Sequence, residues 1–253
     1  MLTITEETLD QIPVLHICKE EYIHQPLPVI IFWHGFTSGK EHNLHIAYHL
    51  AKKNIRVILP EALHHGVRDS GLTEKERVFQ FWSIVLHSVK ETKQVWESLQ
   101  KRKLIEEDRI FVAGTSMGGI ITCGVLAAYP WVKGGAVLMG NPAWETFARQ
   151  QIRLMEQQGS LPLTEEEAEK QVSQLIPFDL SQQTSAIANR PLFFWHGKRD
   201  EVVPYLSSYE FFEQIKEERK DDCSLVYHLD PAAGHKVSRD GMLLMAEWTA
   251  DYI

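Results

Sequence analysis

Continuous runs of apolar residues recur along the chain, alternating with stretches in which apolar residues return every three or four positions. A short continuous run is typical of a strand covered on both faces, and the longer steps are typical of a helix with one buried face. The alternation predicts an α/β fold with a mostly parallel central sheet flanked by helices. The predicted strands span residues 29–33, 55–59, 109–113, 135–140, 192–195 and 225–229, and the predicted helices span 41–53, 73–101, 120–128, 206–220 and 242–252.

Two segments depart from this alternation. Residues 1–18 alternate apolar and polar side chains in places, which predicts antiparallel strands with one wet face. About 50 residues separate Gly140 from Leu192, a long connection for an α/β unit. Amphipathic patterns in residues 144–178 predict a small helical cap over the mouth of a site, or alternatively helices that only pack on the sheet edge. A further short helix is predicted over residues 180–188.

Composition narrows the class of protein. With 253 residues, 44% of them hydrophobic, we predict a single α/β domain over residues 1–253 that carries the cap as an insertion. The net charge of −8 argues against a nucleic-acid partner, because phosphate binding needs a basic face. We see no leader-like pattern and no apolar run of membrane-spanning length, so no membrane association is expected. Cys18, Cys123 and Cys223 are widely spaced, which favours free thiols and a cytoplasmic location.

The clearest chemical motif is Gly114-Thr115-Ser116-Met117-Gly118-Gly119, which lies between a predicted strand and a predicted helix. Gly-x-Ser-x-Gly in this context is typical of a nucleophile elbow, a sharp turn that projects the serine hydroxyl above the sheet. The flanking glycines leave room because they have no Cβ. A glycine-rich turn that serves only tight packing is the alternative. We interpret Ser116 as a candidate nucleophile.

A serine hydroxyl needs a base within hydrogen-bond reach, and the base needs an orienting acid. His235 follows the last predicted strand and is the candidate base. Asp200 follows the strand at 192–195 and is the candidate acid, with Glu201 and then Asp230 as rivals. The order serine, acid, histidine is the one found with this kind of elbow.

Two backbone N–H groups are needed to stabilise a developing oxyanion. Met117, directly after the serine, is one candidate donor. Phe36 is preferred as the second, and Thr37 is the alternative that sequence cannot separate from it. For contact with a substrate we nominate the side chains of Thr37, His65, Trp144 and Phe147, although a structural hydrogen bond is an equal alternative for His65.

Three other histidines, His42, His45 and His49, fall on one face of a predicted helix. Such a set can bind zinc, but no carboxylate or cysteine is obviously placed with it. A polar helix face is the favoured interpretation, and no metal is expected.

Together these motifs resemble the α/β-hydrolase superfamily, in particular small bacterial carboxylesterases related to the catalytic domains of dienelactone hydrolase and prolyl oligopeptidase. The resemblance covers nearly the whole chain and rests on residues 34–38, 60–66, 114–119, 196–204 and 234–235. It implies hydrolysis through an acyl-enzyme without a cofactor. Dienelactone hydrolases proper use cysteine where this chain has Ser116. Members often carry Asp near position 61, where this chain has Glu61.

The sequence therefore predicts a serine hydrolase that cleaves small-molecule carboxylic esters with short to medium acyl chains. A peptidase or thioesterase with the same three residues is the alternative within enzymes. A binding protein that holds a small ligand without turnover is the contrasting class. The pattern predicts no oligomeric state.

Overall fold

The computed structural model describes residues 1–187, 189–219 and 222–253. Its sheet has eight strands in the order β1-β2-β4-β3-β5-β6-β7-β8. Strands β1 and β2 are antiparallel, β2 also runs antiparallel to β4, and the remaining neighbours are parallel. The strand bounds are β1 Leu2–Leu9, β2 Ile12–Lys19, β3 Leu27–Trp33, β4 Arg56–Pro60, β5 Ile105–Thr115, β6 Gly134–Leu138, β7 Leu192–Gly197 and β8 Leu225–Asp230.

The predicted class, a mostly parallel sheet flanked by helices, is confirmed. The antiparallel pair expected in residues 1–18 is β1 and β2. Their two-residue turn, Asp10 and Gln11, has positive φ at both positions, as a tight hairpin that follows strand twist requires. Strand β3 shows why continuous apolar runs predict buried strands. Val29, Ile31 and Trp33 point to one side of the sheet, and Ile30 and Phe32 point to the other.

Nine helices lie in the described residues. They are α1 Leu44–Lys52, α2 Glu74–Phe79, α3 Phe81–Lys101, α4 Met117–Ala128, α5 Trp144–Gln157, α6 Glu165–Leu175, α7 Thr184–Ile187, α8 Leu206–Glu218 and α9 Arg239–Tyr252. Buried side chains of α3, α4 and α8 cover one face of the sheet, and those of α1 and α9 cover the other. None of these helices combines the length and the apolar character needed to cross a bilayer.

Some predicted helices differ in their bounds. The single helix predicted over residues 73–101 is two helices, because Gln80 has ψ near 0° (φ −87°, ψ 0°) between α2 and α3. The helix predicted over 206–220 ends at Glu218, and Lys220 lies outside the described residues. Within 180–188 the helical residues are a 3₁₀ turn at Leu180–Gln182 and the short α7, while Ala188 lies outside the described residues.

Residues 144–178 form two helices, α5 and α6, as expected, followed by a short 3₁₀ turn at Ile176–Phe178. Thr164 caps α6 and Glu167 returns the bond to the Thr164 amide, which is the predicted capping box. The buried Asp179 carboxylate accepts the Glu145 amide in the first turn of α5, so it ties the end of the segment to its beginning. We call residues 144–178 the cap segment.

We predict that Gly118→Ala destabilises the fold. A Cβ at position 118 would lie 2.0 Å from the Trp33 carbonyl oxygen, so α4 must move away from β3. Overpacking of this kind costs about 1–3 kcal/mol of unfolding free energy, measurable by urea denaturation. Gly234→Ala is the control, because a Cβ there meets its nearest atom at an ordinary 3.5 Å. Equal urea midpoints for the two variants would contradict the prediction.

Candidate active site

Ser116 lies at the turn between β5 and α4 with φ 57° and ψ −115°, a backbone conformation that residues with a side chain rarely adopt. The strain persists because the surrounding backbone is held tightly on both sides. A Cβ on Gly114 would lie 2.4 Å from the Gly118 carbonyl carbon, and one on Gly118 would strike Trp33 of β3. Only glycine fits at these two positions, which explains the Gly-x-Ser-x-Gly spacing.

The loops after β5, β7 and β8 bring Ser116, Asp200 and His235 together. Ser116 Oγ lies 2.8 Å from His235 Nε2, and His235 Nδ1 lies 2.7 Å from Asp200 Oδ2. An ionised carboxylate can only accept, so His235 Nδ1–H is the donor and its Nε2 accepts the serine proton. The imidazole is partly exposed, whereas the Asp200 side chain is fully buried.

Asp200 is held as a carboxylate by its surroundings. Its Oδ1 accepts the amides of Val202 and Val203, both at 2.9 Å. Burial by itself raises the pKa of this carboxyl, but the hydrogen bonds from His196, His235 and the Val203 amide outweigh it and hold the pKa well below its usual range. The acid is therefore ionised at neutral pH.

The two rivals of Asp200 do not reach His235. Glu201 is exposed. Asp230 instead accepts the amides of Ala232 and Ala233 and so shapes the loop that carries the histidine.

Sequence reasoning missed the buried residue beneath Asp200. His196, the next-to-last residue of β7, donates from Nε2 to the Val203 carbonyl at 2.7 Å, and its Nδ1 lies 3.2 Å from Ser208 Oγ. It is 1% exposed and lies 3.4 Å from Asp200 Oδ2. The available signal was its position, at the end of a strand and four residues before the acid. It fixes the loop whose amides bind Asp200.

The two preferred backbone donors, Phe36 and Met117, line the same cavity as Ser116. Within the described residues, the amides of Phe36, Thr37 and Met117 donate to no protein acceptor. Thr37, which was nominated as a side-chain contact for a substrate, is exposed and is not among the described residues that line the cavity.

His65, the second nominated substrate contact, is also not among the described residues that line the cavity. Its side chain is buried, and its two ring nitrogens face the carbonyl oxygens of Leu63 and Phe36. The alternative of a structural hydrogen bond describes it correctly, since the imidazole ties the Phe36 loop to the loop after β4. Burial lowers the pKa of this imidazole, and in its neutral form the ring carries a single N–H, which donates to one of these two carbonyl oxygens.

A cavity of about 490 Å³ opens beside Ser116. Its wall combines the elbow with residues of α3 and of the cap segment, mainly apolar ones: Phe36, Phe81, Trp82, Ile120, Phe147, Ile152, Met155, Leu161 and Leu163. Phe147 therefore lies where it was expected. Trp144 does not: it is fully buried, contacts Trp82 and Phe178, and covers Gly124, where a Cβ would lie 2.2 Å from the indole. Its role is packing.

Comparison with known proteins gives the chain a family. A sequence model of the prolyl oligopeptidase family matches residues 86–252. The chain belongs to the prolyl oligopeptidase family. YitV of Bacillus subtilis, which carries a provisional name as an esterase, is 44% identical over the full length of both chains. The esterase YjfP of Escherichia coli is 32% identical over 96% of each.

Several solved structures share the fold of this chain. TT1662 from Thermus thermophilus superposes with a TM-score of 0.75 at 19% identity, over 100% of this chain and 98% of that one. The 2,6-dihydroxy-pseudo-oxynicotine hydrolase superposes with a TM-score of 0.68 at 21% identity, over 99% of this chain and 67% of the other. The α/β-hydrolase fold implied by the sequence resemblance is confirmed.

In this family member, a buried charged cluster supports the loop that carries Phe36. Glu61 is fully buried, and its carboxylate accepts the Lys40 amide at 3.1 Å and lies 3.3 Å from Lys40 Nζ. It also lies 3.2 Å from His34 Nε2. Glu61 is longer than the Asp expected near this position, and it fits because the facing residue is Gly66. A Cβ on Gly66 would lie 2.1 Å from Glu61 Oε2. Neither Lys40 nor Glu61 was nominated from the sequence.

The histidines that suggested a metal do not gather ligands. His42 Nδ1 instead lies 3.0 Å from Ser38 Oγ. Across the described ranges, no group of three histidine, cysteine, aspartate or glutamate side chains has a geometry suited to a metal ion.

We predict that Glu61→Gln removes an acid-sensitive part of the stability. Burial raises the pKa of this carboxyl, but His34 and Lys40 outweigh it and lower it from 4.5 to about 2. A depressed folded-state pKa gives stabilisation that is present above the unfolded value and is lost as pH falls through the folded value. The difference in unfolding free energy between wild type and variant should therefore shrink as the pH falls from about 5 to about 2.

Urea denaturation at several pH values measures this difference. Glu166→Gln is the control, because Glu166 is an exposed carboxylate in the first turn of α6. A gap between wild type and Glu61→Gln that stays constant or widens on acidification would refute the assignment.

Proposed function

We propose that the protein is a serine esterase that hydrolyses small-molecule carboxylic esters with short to medium acyl chains through an acyl-enzyme. One observation carries the proposal: Ser116, His235 and Asp200 form a continuous line of hydrogen bonds at the wall of an apolar cavity. Two relatives at 44% and 32% identity that bear esterase names support the choice of ester over other acyl substrates.

In the proposed acylation step, Ser116 Oγ attacks the ester carbonyl carbon while His235 Nε2 takes the serine proton. The carbonyl electron pair moves onto oxygen, and the amides of Phe36 and Met117 stabilise that oxyanion. When the tetrahedral intermediate collapses, the bond to the alcohol oxygen breaks and His235 returns its proton to the leaving alcohol. The Phe36 amide is preferred to that of Thr37 because Phe36 lines the cavity.

Deacylation repeats the sequence with water. His235 removes a proton from the water, whose oxygen attacks the acyl carbon, and the proton then passes to Ser116 Oγ as the acid leaves. Asp200 remains ionised throughout and stabilises the imidazolium that forms in each half of the cycle. Its saturated hydrogen bonds and low pKa suit that role, since they disfavour protonation of the carboxylate.

The cap segment is proposed to select the acyl group. Phe147, Ile152 and Met155 of α5 line the same cavity as Ser116. An apolar wall of this kind discriminates by about 1–3 kcal/mol per methylene group, so it tunes chain length and does not impose a single substrate.

A peptidase is the second candidate, and family membership is the observation that favours it. The same three residues can cleave an amide.

We predict that Ser116→Ala lowers kcat on p-nitrophenyl butyrate by at least about 10³-fold, because the nucleophile is lost and only binding and oxyanion contacts remain. Wild type should also gain the mass of one phosphonyl group on Ser116 when treated with an organophosphonate. Ser173→Ala, which changes an exposed serine of α6, is the control and should retain wild-type turnover.

Ester turnover that persists in Ser116→Ala would overturn the assignment of Ser116 as the nucleophile. Cleavage of peptide substrates with no turnover of esters would favour the peptidase instead.

We predict that Ile152→Phe shifts the preference toward short acyl chains. The added ring volume fills part of the cavity, so kcat/KM for p-nitrophenyl hexanoate should fall about 10-fold relative to that for the acetate. Leu154→Phe is the matched control, because Leu154 lies on the same helix but is 56% exposed and outside the cavity lining. If the hexanoate-to-acetate ratio of kcat/KM changed equally in Ile152→Phe and Leu154→Phe, the result would count against selection by the cap segment.

A further inference from the structure

One hydrogen bond joins the cap segment to the long helix α3 at the wall of the cavity. Trp82 Nε1 donates to Gln151 Oε1 at 2.8 Å. An indole N–H can only donate, so the acceptor must be the amide oxygen, and the orientation of the Gln151 amide follows without ambiguity. Trp82 is itself buried and packed between Trp144 and Phe147, so the donor does not move freely.

This bond leaves the amide nitrogen of Gln151 unused. Gln151 Nε2 donates to no acceptor in the part of the chain that the structure describes, yet Gln151 lines the cavity next to Phe147 and Ile152. Gln151 is half-buried and its amide nitrogen is open to solvent, so a substrate that displaces this water without accepting from the N–H loses free energy. Ligand sites characteristically combine an apolar wall with a few such oriented polar groups.

The other glutamines of the cavity wall, Gln80, Gln171 and Gln174, differ in this respect. No hydrogen bond to a described residue orients their side-chain amides, which therefore rotate and can present either oxygen or nitrogen. Gln151 alone among these four is held with its oxygen engaged and its nitrogen free. Among the glutamines of the cavity wall, it is the one with an oriented N–H donor.

We propose that Gln151 is a specificity-determining residue whose Nε2–H donates to an oxygen acceptor within the acyl group of the substrate. The substrate class is then an ester whose acyl chain carries an ether, carbonyl or hydroxyl oxygen beyond the scissile carbonyl, in place of a plain alkanoate. This proposal rests on the proposed esterase function and adds to it the chemistry of the acyl chain.

The test compares p-nitrophenyl hexanoate with three analogues in which an ether oxygen replaces the methylene at acyl position 3, 4 or 5. For each ester, kcat/KM is divided by its hydroxide-catalysed rate to remove intrinsic reactivity. Wild type should prefer at least one of the ether esters over hexanoate. In Gln151→Met that preference should fall about 3- to 10-fold, the effect of one neutral hydrogen bond.

Two further variants separate the donor from the packing. Gln151→Glu keeps the size of the side chain and an acceptor for Trp82 but has no N–H, so it should lose the ether preference like Gln151→Met. Gln157→Met changes an exposed glutamine of the same helix outside the cavity, and it should keep the wild-type ratio.

Equal ether-to-hexanoate ratios in wild type, Gln151→Met and Gln151→Glu at all three positions would overturn the inference while leaving the esterase intact. Failure of the esterase proposal gives a different result. Wild type would then not cleave p-nitrophenyl hexanoate at all, or the cleavage would persist in Ser116→Ala.

Discussion

The Gly118 backbone meets the Trp33 carbonyl so closely that no side chain fits between helix α4 and strand β3. Gly114 and Gly118 make a second contact of the same kind across the turn. These backbone contacts hold Ser116 in a conformation that it would not otherwise adopt, since positive φ with negative ψ is unfavourable for a residue with a side chain. Every other part of the site is arranged around that fixed hydroxyl.

The loops that reach Ser116 are stabilised by buried polar groups whose hydrogen bonds are largely satisfied. Glu61 and Lys40 support the Phe36 loop, and within the loop after β7 Asp200 accepts the Val203 amide while His196 donates to the Val203 carbonyl. Breaking such a group by removing one partner is costly, because the remaining charge stays buried and unpaired. The cost favours one loop conformation over its alternatives, which suits a site that depends on distances below 3 Å.

The cavity wall depends on a different kind of contact. Much of it is supplied by α5 and α6, each of which buries one apolar stripe: Trp144, Phe147 and Ala148 of α5, and Ala168, Val172 and Leu175 of α6. The cap segment is tied down at Asp179 and at the pair Trp82 and Gln151. These two hydrogen-bonded points and the buried stripe hold the wall in place beside the elbow.

The amino-acid sequence by itself determined the order of strands and helices, since hydrophobic periodicity is a local property that each segment carries alone. It also nominated Ser116, Asp200 and His235. Each follows a predicted strand in a short motif that can be read from the sequence, and the carboxyl ends of parallel strands meet at one edge of the sheet. Phe147 was nominated from the apolar face of a predicted helix in the insertion. The fold brought Ser116, His235 and Asp200 into hydrogen-bond contact.

Tertiary structure alone decided where Trp144, His65 and Thr37 point. Whether a side chain near a strand end faces the cavity, the core or solvent depends on neighbours from other elements, such as the missing Cβ of Gly124 that admits the Trp144 indole. The bond between Trp82 and Gln151 joins residues 69 positions apart. A pairing at that distance leaves no periodic trace, because it exists only once two helices have packed.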